Sequence, residues 1–321
     1  MLQKFRVKKS EKGKRLDSFL HGKMEDWSHR KIKQSINHRE VSVNGQVQLV
    51  SGWFLKAGDV VTLQESQAKI GLADRSRYHF VPVLYEDDAL LITNKPALID
   101  YDSFVLNVNA YLKRTNEKRF LRTYYPYVGQ IHRLDKETSG ILLFTKKKSA
   151  NTVADQFRGR KVKKIYTAVV WGSVEKEHGI IEAGIKKGIF KDGKKVEISE
   201  ADDAKESRTE YWVVERYDNI ATLLKVRLVT GRTHQIRVHM THINHPLVGD
   251  KIYGSKVPGT MVPMVPGTMV PMVPIKVPIK RQALHAHQLE FTHPITNKPL
   301  KIEAPLPLDI EQLIDFFREK V

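Results

Sequence analysis

The sequence predicts an α+β protein in two parts: a small α/β module over residues 1–66 and a larger, strand-rich domain over 79–321. Three observations lead there. Residues 1–66 order their apolar positions as helix, helix, hairpin and strand. Residues 67–78, QAKIGLADRSRY, are polar and without period, as a linker is. Beyond them, apolar runs of strand length outnumber helical spacings. A chain of 321 residues with 41% hydrophobic content and a mean hydropathy of −0.39 can bury one large core and a small satellite.

In the first module Leu16, Phe19 and Leu20 share one helical face, and Ser28 caps a second helix whose Ile32 and Ile36 face inward. VSVNGQVQLV turns at Asn44-Gly45, a strong hairpin signal. Ala57-Gly58-Asp59 turns again into the strand Val60–Leu63. The module carries thirteen Lys or Arg against seven acids. Its basic helix pair offers Arg15, Arg30 and Lys31 as candidate RNA contacts; a cap or dimerisation role is the alternative.

The second domain opens on a strand pair, VLYEDDALLITNKP, turning at Glu86–Asp88. A helix starts near Asn107. Ile141–Phe144 reads as a core strand, Ser149–Arg158 as a helix, and Ile165–Val170 as an alternating strand. Residues 175–210 are acidic and glycine-rich, which fits hairpins and loops at a solvated edge. Tyr211–Glu215 and Ala221–Val229 are long strands, and Thr233–Met240 begins a helix. The octapeptide PGTMVPMV occurs at 258–265 and again at 266–273, and six of the 14 prolines fall between 258 and 278. Proline at that density forbids helix or central strand. Residues 256–280 are therefore an extended, duplicated loop. The tail closes in an amphipathic helix through Ile310, Leu313, Phe316 and Phe317.

Composition narrows the chemistry. With no cysteine, disulfides, thiol catalysis and thiolate metal sites are excluded. No apolar stretch reaches the roughly 18 residues of a spanning helix, and the first residues lack the apolar core of a secretory signal. The expected compartment is the cytoplasm. The net charge is +18, and residues 112–164, with fifteen Lys or Arg and four acids, hold +11 of it. Such a field attracts polyanions. Nucleic acid is the expected partner; a membrane surface would need a long basic amphipathic helix, which is missing.

Three stretches carry candidate chemistry. In GQIHRLDKETSGILLFT, residues 129–145, Asp135 lies between Arg133 and a strand start. It is a candidate nucleophile, or else half of a structural Asp–Arg pair. In KIYTA, Tyr166 is on the strand face opposite Ile165, placed either to stack on a base or to fill the core. In GRTHQIRVHM, residues 231–240, Arg232, His234 and Arg237 can line one cleft. A guanidinium beside an aspartate keeps it ionised and aimed, which suits a nucleophile or base; each arginine could instead hold a phosphate. Asp250 is a weaker rival for the catalytic carboxylate. The late histidines lack HExxH spacing, and no phosphate loop or GxGxxG occurs. No metal is expected.

HRLDKETSG, IYTAVVWG, GRTHQIRVHM, HPLVGDKIYG and ALHAHQLEFTHP, in this order over roughly residues 79–310, resemble the RNA pseudouridine synthases of the branch that modifies large-subunit ribosomal RNA and some transfer RNA. The first module resembles the small RNA-binding domain shared with a ribosomal small-subunit protein. The resemblance implies a mixed, mostly antiparallel central sheet with flanking helices and a catalytic cleft across its middle. It implies Asp135 as the catalytic aspartate, Tyr166 as the stacking tyrosine and Arg237 as the basic partner. Arg133 would help evert the target nucleotide, with His132 and Thr138 supporting the loop. It implies isomerisation of uridine in structured RNA, most readily 23S-type ribosomal RNA, by a monomer without cofactor or metal. Whether the aspartate attacks sugar or base, or abstracts a sugar proton, stays open.

One segment departs from the family pattern. After NKP the family has glycine and then a stretch ending in His-Pro; here Ala97 follows, in NKPALIDYDSFVLNVNAYL. That departure motivates a second reading, a non-catalytic RNA-binding or ribosome-assembly protein on the same fold. A third is a nuclease or glycosidase acting through Asp135.

Overall fold

The computed structural model describes residues 2–24, 27–37, 40–48, 51–64, 81–115, 126–190, 193–254 and 275–320. It divides into two compact units, Met1–Arg77 and Tyr78–Val321. The expected linker 67–78 and the octapeptide duplication at 258–273 lie outside the described residues.

The first unit holds β1 (Leu2–Arg6), α1 (Leu16–His21), α2 (His29–Asn37), β2 (Val41–Val43), β3 (Gln46–Val47) and β4 (Val60–Gln64). The sheet order is β1-β4-β2-β3, antiparallel throughout. Asn44 and Gly45 both take positive φ, 52° and 82°, which is what a two-residue hairpin turn demands. Asn44 also braces the neighbouring strand: its Oδ1 accepts from the Val60 amide at 2.9 Å. The Ser28 hydroxyl accepts from the Lys31 amide at 3.2 Å, the expected cap of α2. Leu16, Phe19, Leu20, Ile32 and Ile36 close the core against Val41, Val61 and Leu63. β1 is an addition to the expected order. Its sequence, LQKFR, has no apolar alternation to announce it, and it is held by pairing with β4.

The second unit is built on β5 (Val83–Glu86), β6 (Leu90–Lys95), α3 (Tyr101–Thr115), β7 (Gly129–Gln130), β8 (Ser139–Thr145), α4 (Val153–Arg158), β9 (Lys163–Trp171) and β10 (His178–Glu182). The hairpin β11 (Ile185–Phe190)/β12 (Gly193–Ile198) follows, then β13 (Arg208–Tyr217), β14 (Ala221–Leu228), α5 (Gln235–His242), β15 (Leu284–Thr292), β16 (Pro299–Glu303) and α6 (Leu308–Arg318). The large sheet runs β10-β13-β14-β9-β15-β8-β6-β5, with β16 also on β15 and β7 also on β8. Among the described strands every pairing is antiparallel except β8 with β15. Helix α3 begins six residues before Asn107.

Both faces of the sheet are covered, which is why β8 reads as a continuous apolar run rather than an alternation. Leu142 and Phe144 pack with α3 and α5 on one face; Ile141 and Leu143 pack with α4 on the other. Helix α6 seals the second face over β9 and β14 through Ile310, Leu313 and Phe317. At the end of the proline-rich stretch, Ile279 is buried in that cluster. The parallel pair matters most for the site. It brings the start of β8, just after Asp135, beside the start of β15. Gly140, at φ +115°, permits that approach: a Cβ there would lie 2.3 Å from the Ala286 carbonyl oxygen.

Candidate active site

Asp135 lies in the loop 131–138 between β7 and β8. A tight turn sets its backbone, the Thr138 amide donating to the Asp135 carbonyl at 3.1 Å. Two buried cations then clamp the carbonyls that follow. Lys95, at the end of β6 and fully buried, donates to Lys136 O at 3.2 Å, and also to Pro96 O at 2.8 Å and Ile99 O at 3.0 Å. Arg281, 2% exposed, donates to Glu137 O at 3.1 Å and Ser139 Oγ at 3.3 Å while gripping Asp309 of α6 at 2.7 and 2.8 Å. A main chain held this firmly aims one side chain reproducibly.

The Asp135 side chain keeps 22% of its surface open. Arg237 of α5 brings Nη1 to 3.5 Å from Oδ2, and His234 brings Nε2 to 3.7 Å. Arg237 was expected to pair with one carboxylate and meets two. Its shorter bonds go to Asp250, Nε at 2.7 Å and Nη2 at 2.9 Å. Asp250 is therefore not a free rival for the chemistry. Its side chain is fully enclosed, and Oδ1 also accepts from the Ile252 and Tyr253 amides at 2.9 and 3.0 Å. Burial alone would raise the Asp250 carboxyl; the hydrogen bonds and charge of Arg237, with those two amides, outweigh it and hold it below the usual range. Burial likewise pulls on Arg237, and the two aspartates more than offset it. Arg237 is thus a fixed cation, anchored by Asp250 and offered to Asp135.

His234 takes positive φ, 54°, at the start of α5, which turns its ring back towards Asp135. Burial, against the pull of Asp135, keeps the imidazole below its ordinary pKa. It acts as a neutral hydrogen-bonding group, with Nδ1 3.0 Å from the Tyr253 hydroxyl. Tyr166 of β9 is 8% exposed, and burial, then the Asp135 charge, raises its phenol above the usual value. It offers an uncharged ring to the same space.

These groups line one open cavity of about 540 Å³, with Ile131, Leu134, Phe157, Leu228 and Leu284 among its apolar walls. Pockets of this size hold a nucleoside-sized ligand. Its charged lining is six bases, Arg133, Arg158, Arg160, Lys164, Arg232 and Arg237, against a single acid, Asp135. Arg133 is exposed and makes no hydrogen bond or ion pair among the described residues. Arg232 reaches the Glu206 carbonyl through Nε at 3.3 Å.

His132 and Thr138 are framework parts of the loop. His132 Nε2 accepts from the Leu143 amide at 3.0 Å and its ring stacks on Phe157 at 4.9 Å; burial lowers its pKa to about 3, leaving it neutral. Thr138 accepts from Gln282 at 3.2 Å. In the first unit Arg15 is turned onto Asp17, at 3.0 and 2.7 Å. The Lys31 ammonium lies 3.7 Å from the Trp27 ring centre, and the Arg30 side chain falls outside the described residues. The sequence reading missed Lys95, Arg281 and Tyr253. The one signal available for the first two was basic residues inside apolar text, NKP and RQALHA.

Comparison with known proteins gives the family and the fold. Residues 89–242 match the family model described as RNA pseudouridylate synthase, and residues 14–61 match the S4 domain. A ribosomal large subunit pseudouridine synthase D of Xylella fastidiosa is 35% identical, over 96% of this chain and 90% of its own length. A protein of the same description from Pasteurella multocida is 32% identical, over 96% and 93%. Among solved structures, human RNA pseudouridylate synthase domain containing 4 superposes with a TM-score of 0.55 at 22% identity, over 74% of this chain and 93% of that one, a likeness of fold.

Proposed function

Since this chain belongs to the RNA pseudouridine synthases, we propose that it isomerises uridine within large-subunit ribosomal RNA, with Asp135 as the reacting carboxylate. The observation that carries the reading is the lone carboxylate of a strongly basic cavity, clamped through its backbone and faced by Arg237. The target RNA is drawn from the description of the relatives. The compartment proposed is the cytoplasm, where ribosomal RNA is met in bacteria such as those relatives' hosts; among the described residues no helix is long and apolar enough to cross a membrane.

The reaction breaks the bond from C1′ to N1 and forms one from C1′ to C5. N1 gains a proton, C5 loses one, and mass is conserved. Asp135 supplies the anionic oxygen, at the sugar or the base. Arg237 steadies that charge, held in turn by Asp250. Tyr166 stacks on the uracil while it turns, its neutral phenol holding no competing charge. His234 hydrogen-bonds at the carboxylate edge, and Arg232 meets the backbone. Everting a paired nucleotide costs a few kcal/mol. The cationic lining offsets that through phosphate contacts, and Arg133, unpaired among the described residues, enters the space the nucleotide leaves. Arg15, Arg30 and Lys31 of the first unit contribute further RNA contacts.

The altered segment after NKP weighs against a silent relative. Pro96 O and Ile99 O still bind Lys95, so that segment frames the Asp135 loop instead of displacing it. Carbodiimide-dependent primer extension on ribosomal RNA from cells with and without the gene tests the proposal. A gene-dependent stop is expected at a uridine, restored by the wild-type protein and not by Asp135→Asn, whose rate falls by at least about 10³-fold while RNA binding is kept. Asp135→Asn working at the normal rate would sink the assignment. Strand scission or free uracil would instead support the hydrolytic reading.

A further inference from the structure

We propose that Lys164 is the centre of a phosphodiester subsite that takes the RNA backbone beside the everted uridine; this rests on the reaction proposed above. Lys164 and Tyr166 are two residues apart on β9 and line the same cavity. Strand geometry separates them by about 7 Å, the scale of one nucleotide step. A base stacked on the tyrosine therefore leaves its flanking linkage within reach of the ammonium.

The adjoining lysine shows what is unusual here. Lys163 projects to the opposite face and is paired with Glu290 at 3.3 Å. Lys164 makes no hydrogen bond or ion pair among the described residues, although burial lowers its pKa to about 8. A half-buried ammonium without a counter-charge is costly unless a ligand supplies the charge. The one acid that lines the same cavity, Asp135, faces Arg237 at 3.5 Å and His234 at 3.7 Å.

The space around the ammonium is open to an anion. Gly231 leaves bare backbone there; a Cβ at that position would come within 3.6 Å of Nζ. Arg158, Arg160 and Arg232 extend the same basic wall. A phosphodiester fits because it is anionic throughout the working pH range and accepts from several donors at once.

Lys164→Met keeps the length of the side chain and removes only the charge. Binding to a fragment of large-subunit ribosomal RNA, measured across a range of KCl, should weaken roughly tenfold. The slope of log affinity against log salt should shrink by about 0.7–1. The loss of activity should appear in KM rather than in kcat, and the melting temperature should not fall, whereas a merely structural lysine would cost stability. In an oligonucleotide around the modified uridine, a neutral methylphosphonate at one flanking linkage should cost the wild type the same tenfold and cost Lys164→Met nothing more. An unchanged salt slope, or a loss in kcat with KM intact, would overturn the subsite. A wild type that shows the Lys164-dependent slope and yet leaves every uridine unaltered would sink the reaction and leave the phosphate contact standing.

Discussion

Lys95 and Lys164 are two interior lysines of one domain, each drawn down to about 8, and they do opposite things. At Lys95 the causes are burial and the nearby Arg281 charge, yet three carbonyl acceptors at 2.8, 3.0 and 3.2 Å hold the proton in place. All three donors are spent on the protein. At Lys164 the cause is burial alone, and no protein acceptor among the described residues answers it. The difference separates a cation that builds the site from one that waits for a ligand. Burial by itself does not distinguish them; the count of satisfied donors does.

The sharpest break in that comparison comes from removing each charge. Lys95→Met strips three part-buried carbonyls of a buried donor and should destabilise the fold by about 2–5 kcal/mol, read by chemical denaturation. Lys164→Met removes a charge that burial disfavours and should not destabilise the fold at all. Equal losses from the two would erase the distinction. Next in size is Asp250→Asn. It leaves the Arg237 guanidinium buried against a weaker acceptor and should cost about 3 kcal/mol. It should also lower kcat at least about tenfold, because Arg237 is no longer held in its present orientation before Asp135. Loss of stability with an unchanged kcat would mean that Asp250 has no part in aiming Arg237.

A pH slope on the clamped side of the site extends the comparison to buried groups that lose their proton. His285 approaches Ser139 Oγ at 2.9 Å beside Arg281, and His239, on the buried side of α5, lies 3.3 Å from the Ala183 carbonyl; burial lowers each to about 4. An imidazole depressed from 6.5 binds its proton more readily in the unfolded chain. Stability from these two is therefore complete above about pH 6.5 and is lost as pH falls towards 4, with at most about 1.4 kcal/mol per pH unit from each. Melting temperatures measured from pH 7 to 4 should fall through that window. His285→Gln should flatten part of the slope while RNA affinity, set on the basic wall, stays put. A slope that His285→Gln leaves intact would assign the acid sensitivity to other groups.

Much of this molecule was legible in its residues. Apolar spacing marked α1, α2, β9, β13, β14 and α6, and Asn44-Gly45 marked its hairpin, because turn chemistry and periodicity are local properties. The loop carrying Asp135, the strand carrying Tyr166 and the helix carrying Arg237 were each visible as motifs. What the sequence could not determine was who meets whom. Asp250 read as a rival to Asp135 and is instead the anchor of Arg237. Lys95 and Arg281 lie 186 positions apart and close on consecutive carbonyls of one loop. Lys163 and Lys164 are identical in type and adjacent, and only the pleat of β9 sends one to Glu290 and the other into the cleft. Local structure follows from local side chains; the partner of a buried charge depends on which distant segments the sheet order brings alongside it.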